Sequence, residues 1–488
     1  MQRVLRRGAR LAALLLAAIC LYTGLLLAAY AFPDEWISDN VGAAVDVLTE
    51  EGNMVGGYAN YFWHTGFSIT DNLTDMRIYQ GLLRDGRSVT DAAMRTDYAR
   101  YWHGYAVVLR PLMIVMSIVN IRYLNMMALM ALFLVCGWKC RERFGWRTAA
   151  HFCGGLLMSF LLIAPFCQQY MPVTFLALAG SAAVLCGWKA ARNRLYELFF
   201  LLGSLVCFFD FLTFPVLALG YPLACCLLQM VWDGEGPAPI WKKTLLLSAA
   251  WVLGYGLTWV AKGIIGTLLT GENVLGDILS QAAFRTTGAF YTDTGAVDVN
   301  MRSAVLINLE TFFMGANIGA FALMLLVEGV YAVRKGRLEN WPQALALAAV
   351  ALWPVIWYCV LQNHSRLHFW MTYKQLSVTV FAGCSALRAL GAVREDRSCG
   401  EVQDRAERFK KGLDKEIAPS YNTNWSRCGQ AFAQGGAAAA LQRMNTLSMM
   451  AGIGRRERQM HLPRHSPEGW FASPGERFGK PRQRRGAE

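Results

Sequence analysis

Residues 104–138 read GYAVVLRPLMIVMSIVNIRYLNMMALMALFLVCGW, and how often this stretch crosses a membrane sets the side of every later loop. It holds two apolar runs, 104–120 and 121–138, each near the length of about 20 residues that a bilayer asks of a helix. If both cross, the basic loop with Lys139, Arg141, Arg143 and Arg147 falls outside, against the tendency of Lys and Arg to remain on the cytoplasmic side. The first run is also interrupted by Arg110-Pro111. A proline removes a backbone donor and kinks a helix, and an arginine in mid-membrane is costly. Residues 104–120 are therefore read as an interfacial or re-entrant helix on the outer surface, and 121–138 as a span.

Upstream, MQRVLRRGAR precedes an apolar run over 11–32 that is too long for the core of a signal peptide and has no clear cleavage site. It reads as an uncleaved first span, held inside by Arg3, Arg6, Arg7 and Arg10. A long outer loop over 33–120 follows, poor in basic residues up to Tyr101. Downstream, spans follow at about 149–166, 171–188, 196–212, 214–232, 244–269, 313–333, 342–361 and 371–391. Their inner loops hold Lys189, Arg192 and Arg194, then Lys242 and Lys243, then Arg334, Lys335 and Arg337. The expectation is an all-α integral membrane domain over 1–392 with ten spans, both termini inside, and a second outer loop at 270–312. From 393 to 488 the chain turns basic and rich in Gly and Ala, and reads as a disordered cytoplasmic tail without a packed core.

Composition agrees with that class. Of 488 residues 55% are hydrophobic, above the 45–50% or so of soluble domains. The net charge of +13 raises the question of nucleic acid. The cations sit at the ends of apolar blocks and in the tail, which is a topology signal and not a nucleic-acid groove. Most cysteines lie inside apolar blocks, where they act as small hydrophobes, and no disulfide framework or zinc spacing is present.

The polar residues that can do chemistry sort to the outer side. Asp34-Glu35 follows the first span, either as interface residues or as a general base. In TDNLTDMR, Asp71 and Asp75 are four apart, so on a helix they share a face. They can orient a hydroxyl or hold a divalent cation, and Asp71 or Thr74 can equally be an N-cap. The segment DYARYWHGYAVVLRP carries Tyr101, Trp102, His103 and Arg110, either an aromatic anchor or a platform for sugar and phosphate. Asp210 in FFDFLTFP is ionisable within an apolar stretch, or sits at a wet turn. NHSRLHFWMTYK brings His364, Arg366, His368, Tyr373 and Lys374 to the mouth of a span. It lacks the glutamate of a zinc peptidase, and its cations suit a phosphate or diphosphate.

With Asp34-Glu35, DNLTD, YWHGY…LRPL and NHSRLHFWMTYK in this order on a many-span frame, residues 1–392 resemble the GT-C class of integral-membrane glycosyltransferases. The last two segments are similar to stretches of poorly characterised bacterial envelope members of that class. The resemblance implies a multi-pass protein of the cell membrane that takes a sugar from a polyprenyl-phosphate donor. It would pass it, with inversion, to a glycan or lipid acceptor of the cell envelope on the outer face. One of Asp34, Asp71 and Asp75 would serve as base, with cations near His364, Arg366 and Lys374 on the leaving phosphate. The resemblance fixes no cofactor, a divalent cation is compatible, and no nucleic acid is expected. A flippase or transporter, or a non-catalytic envelope-assembly scaffold, is the alternative.

Overall fold

The computed structural model describes residues 2–52, 70–95, 98–287, 290–292, 295–297, 299–335 and 340–390. The expected tail, and 53–69 of the outer loop, lie outside the described residues.

The chain opens with α1 (Gln2–Ala31) and continues through α2 (Ser38–Glu51), α3 (Asn72–Gln80), α4 (Val89–Met94) and α5 (Tyr105–Val115). Then come α6 (Ile118–Phe144), α7 (Trp146–Met158), α8 (Met171–Ala191), α9 (Leu195–Phe209), α10 (Val216–Trp232) and α11 (Pro237–Thr270). The last third holds α12 (Val274–Thr287), α13 (Met301–Phe312), α14 (Ala316–Lys335), α15 (Trp341–Val350), α16 (Trp353–Val360), α17 (Gln362–Leu367), α18 (Phe369–Thr372) and α19 (Ser377–Leu390). A small antiparallel hairpin pairs Phe290–Thr292 with Gly295–Val297.

The fold is helical, and six helical stretches are long and apolar enough to cross a membrane: Leu5–Ala31, Ile118–Phe144, Met171–Ala191, Pro237–Thr270, Ala316–Arg334 and Trp341–Val360. The stretch 104–138 does divide in two. Met116 is extended (φ −137°, ψ 140°), and the Ser117 side chain accepts from the Asn120 N–H to start α6. An N-cap serine leaves the last turn of α5 unable to continue, so α6 begins three residues before the expected 121. Helix α5 has 11 residues, too few to span about 30 Å at 1.5 Å each.

Arg110 sits in mid-helix next to Pro111, fully buried. Its Nε donates to the Ala29 carbonyl at 2.8 Å, Nη2 to the Phe32 carbonyl at 2.6 Å and to Asp34 Oδ1 at 3.1 Å, and Nη1 to the Leu82 carbonyl. Helix C-termini leave carbonyls without partners, and this one guanidinium caps the end of α1 and binds it to the chain before α4.

Helix α10 is buried nearly along its length, with α8, α11 and α19 packed on it. Helices α9 and α11 approach through glycine: a Cβ on Gly203 would strike the Trp251 carbonyl, and one on Gly254 the Phe200 carbonyl. Small residues allow this closeness where apolar burial gives helices no preference for each other over lipid. A second core gathers α1, α2, α4 and α5 around Trp102, whose Nε1 donates to the Thr258 carbonyl at 2.9 Å. The two cores set the segments that join the long helices over the helix ends.

Candidate functional site

A cavity of about 420 Å³ lies where those joining segments meet. Its wall comes from α3 and the turn after it, from the chain between α4 and α5, from Gln169 before α8, Phe211 after α9, Arg285 on α12, and His364, His368 and Met371. Every one of these follows the C-terminal end of α1, α9, α11 or α16, or precedes the N-terminal end of α8 or α19.

Local structure explains how each wall residue is presented. Asp210 ends α9, and its carboxylate accepts from the Thr213 N–H at 3.0 Å and the Thr213 hydroxyl at 2.5 Å. The resulting turn places Leu212 at φ 68°, outside the usual range for L residues. It sends Phe211 to the cavity and the Leu212 carbonyl to His364 Nε2, at 2.7 Å. His103 is also left-handed, at φ 57°. The Tyr98 carbonyl lies 2.9 Å from its Nε2, the Tyr105 hydroxyl lies 3.2 Å from Nδ1, and the Gly104 N–H donates to the Phe208 carbonyl at 2.9 Å. Phe211 packs against Tyr101, His103 and Tyr105 at centroid distances of 5.6, 5.4 and 5.2 Å.

Among the described residues the wall holds four arginines, Arg77, Arg87, Arg95 and Arg285, and one carboxylate, Asp85. Arg95 Nη1 donates to the Tyr105 hydroxyl at 3.4 Å, and Arg285 Nη1 to His368 Nε2 at 3.0 Å. The histidines do not add charge. Burial, then Arg95, holds His103 well below the usual imidazole range. Burial, then His368 and Arg285, does the same for His364. Burial, then Arg285, brings His368 down to about 3. The cationic groups of this wall are therefore arginines, which differs from a phosphate held by histidine cations.

Of the residues singled out from sequence, Tyr101, His103, His364 and His368 meet at the cavity. The three aspartates expected as bases are not in its wall. Asp34 accepts from the Arg84 N–H at 2.8 Å and pairs with Arg84 and Arg110. Asp71 is the N-cap of α3, accepting from the Thr74 N–H and hydroxyl, each at 3.0 Å. Asp75, 1% exposed, accepts from the Gln168 N–H at 2.8 Å and the Gln169 N–H at 3.3 Å. Burial raises its carboxyl to about 7 against the pull of those two N–H groups. Asp71 and Asp75 reach the cavity only through Thr74 and Gln169, which line it.

Glu35 is exposed and Arg366 half-buried, and neither lines the wall. Trp102, Arg110 and Asp210 hold the surrounding fold, as described. Lys374 is buried with its Nζ 3.3 Å from the Ser159 carbonyl and 3.2 Å from the Tyr373 hydroxyl, beside a separate small void. Sequence reading passed over Arg87, Arg95, Tyr105, Phe211 and Arg285. Tyr105 and Phe211 stand beside His103 and Asp210 in segments already singled out, whereas Arg87, Arg95 and Arg285 have no local spacing that marks them. Among the described residues no three His, Cys, Asp or Glu side chains gather as a metal site would need. Comparison with known proteins finds no family model, no curated protein and no solved structure that matches this chain.

Proposed function

We propose that the chain is a multi-pass glycosyltransferase of the GT-C type, moving a sugar from a polyprenyl-phosphate donor to a glycan or lipid acceptor at the extracytoplasmic face. The observation that carries this reading is the cavity itself, where four arginines and four aromatic rings converge beside three neutral histidines. Guanidinium groups match phosphate oxygens in a planar fork, and aromatic faces suit the apolar faces of sugar rings. A volume of about 420 Å³ lies within the range of roughly 300–1,000 Å³ usual for small-molecule sites. It fits a sugar and its phosphate, with the prenyl chain left along the apolar helices outside.

Position supports the same reading. If α7, α9, α10 and α19 cross along with the six long stretches, the chain makes ten crossings. The cavity segments then share one side, and the loops bearing Lys139, Arg141, Lys189, Arg192 and Lys335 share the other. By the positive-inside rule the cavity side is extracytoplasmic. Negative charge that develops on the leaving phosphate is stabilised by donors fixed in place beforehand, here Arg285 and Arg95.

The experiment is native mass spectrometry of the detergent-purified chain, followed by release of polyprenyl phosphate from synthetic polyprenyl-phosphate sugars. Lipid phosphate retained by the parent and lost about 10- to 100-fold in Arg285→Gln is expected, the worth of one charged hydrogen bond. Absence of both retention and release refutes the enzyme.

One cluster favours transport as the second reading. Glu328 on α14, 1% exposed, lies 3.5 Å from Arg147 and 3.4 Å from His151 of α7. Ionisable groups within apolar helices commonly serve ion or proton pathways. Solute uptake that follows an ion gradient and fails in Glu328→Gln would favour that reading over the transferase.

A further inference from the structure

Two histidines of the cavity wall each hold a buried nitrogen without a partner. His364 Nδ1 and His368 Nδ1 are both closed to bulk water and accept or donate no hydrogen bond among the described residues. Buried polar atoms are nearly always paired, so each orphan needs an explanation. Both rings line the cavity, and their centroids are 4.8 Å apart.

The protons on these rings follow from their other partners. His364 Nε2 lies 2.7 Å from the Leu212 carbonyl, which only accepts, so Nε2 carries the hydrogen. In the neutral ring its Nδ1 is then a bare lone pair. His368 Nε2 lies 3.0 Å from Arg285 Nη1, which only donates, so Nε2 is the lone pair and Nδ1 carries the hydrogen. The neighbours are complementary, one orphan acceptor beside one orphan donor. His103 differs, because both its nitrogens are engaged, by Tyr98 and Tyr105.

We propose that His364 and His368 form a binding site for a substrate hydroxyl, which donates to His364 Nδ1 and accepts from the His368 Nδ1–H. A hydroxyl carries both functions on one atom, and hydrogen bonds of about 2.8 Å to each ring suit rings this close. The site deepens the transferase reading and rests on it for the identity of the ligand, the acceptor alcohol of a sugar or lipid. As the hydroxyl oxygen bonds to the anomeric carbon, its proton passes to His364 Nδ1. The bond from that carbon to the donor phosphate breaks, and its electron pair stays on the phosphate oxygen. The imidazolium then returns the proton to the released phosphate. Arg285 holds the His368 tautomer in this scheme, and Asp210 holds the Leu212 carbonyl that fixes His364.

The test uses the full chain in nanodiscs with ¹⁵N-labelled histidine. The His364 resonance is assigned by its loss in His364→Gln, whose amide retains a donor toward Leu212, and the His368 resonance by His368→Gln. Methyl glycosides are titrated in, each with single-deoxy analogues, and release of polyprenyl phosphate is followed on the same samples with a panel of farnesyl-phosphate sugars. The expected result is a neutral His364 with Nε2–H, a neutral His368 with Nδ1–H, and a His364 Nδ1 shift caused by a glycoside and not by one of its deoxy analogues. Release falls about 100-fold or more in His364→Gln, the usual scale for losing a general base. The opposite tautomers, an imidazolium at neutral pH, or no shift with any glycoside overturns the hydroxyl site. A shift without release keeps the site and refutes the transferase reading, and release without a shift does the reverse.

Discussion

Asp75→Asn separates a structural carboxyl from an ordinary surface one through its pH dependence. Asp75 is buried against the backbone N–H groups of Gln168 and Gln169, and its carboxyl is raised from 3.8 to about 7. Between those values the native state holds a proton that the unfolded chain has released. Stability therefore falls as pH rises through this window and levels off above 7. With these two values, linkage gives a loss of roughly 2.5 kcal/mol between pH 5 and pH 8 from this one group. Asparagine cannot ionise, so the variant lacks that loss. It has a cost of its own, because its NH₂ replaces an acceptor oxygen opposite a backbone N–H, about 1–3 kcal/mol. The variant is thus expected to be the less stable chain at pH 5, and to draw level with the parent or pass it by pH 8. The assay is thermal unfolding of both chains in one detergent at one scan rate, from pH 5 to pH 8, read as the difference in apparent Tm. A difference that shifts by a few degrees in the stated direction is expected for a change of this size. Parallel curves would refute the reasoning, since every other titrating group is common to both chains.

Two further outcomes follow from the packing around the cavity. Arg110→Met removes the donor from the Ala29, Leu82 and Phe32 carbonyls and leaves Asp34 with Arg84 alone. A loss of about 3–5 kcal/mol is expected, the scale for removing one partner of a buried ion pair, seen as a lower apparent Tm and poor recovery from detergent; an unchanged Tm would mean that the clamp contributes nothing. Gly81→Ala puts a methyl into the Arg95 guanidinium and within 2.9 Å of the Arg77 carbonyl. The guanidinium moves and the turn gives at the carbonyl, so retained lipid phosphate should fall about 10-fold, as for a displaced charged hydrogen bond, with a lower apparent Tm; retention equal to the parent would remove Arg95 from the site.

The fold was legible where one local rule acts alone. An apolar block of about 20 residues must be a buried or lipid-facing helix, and the blocks at 11–32, 121–138, 171–188, 244–269, 313–333 and 342–361 correspond to helical stretches long enough to cross. Boundaries were less legible because they depend on capping and tertiary contacts. Residues 149–166 read as one span, yet α7 stops at Met158, Phe160 is left-handed at φ 59°, and a 3-10 turn with Pro165 follows. The 371–391 block likewise enters through α18 and a 3-10 turn at Tyr373–Leu376 before α19.

The site was legible only in part, for a reason of geometry. Spacing of four predicts that Asp71 and Asp75 share one side of a helix, but it does not say that Asp71 stands before α3 as its cap, or what Asp75 meets. Asp75 meets the backbone at Gln168 and Gln169, more than ninety residues on, and Asp71 meets its own first turn. A charged residue in a loop reads as a solvated candidate for chemistry, and the same residue buried on N–H groups is a fastener for loops. The reverse holds for Arg285, one cation in a long segment with nothing beside it in sequence to mark it. Its meaning comes from His368, 83 residues away, and the tautomer it imposes there is visible only once the two are in contact. Histidine chemistry in this wall is thus decided by second partners, the Leu212 carbonyl for His364 and a guanidinium for His368. The spacing in NHSRLH brings the rings together, and the rest of the chain decides which nitrogen is left bare.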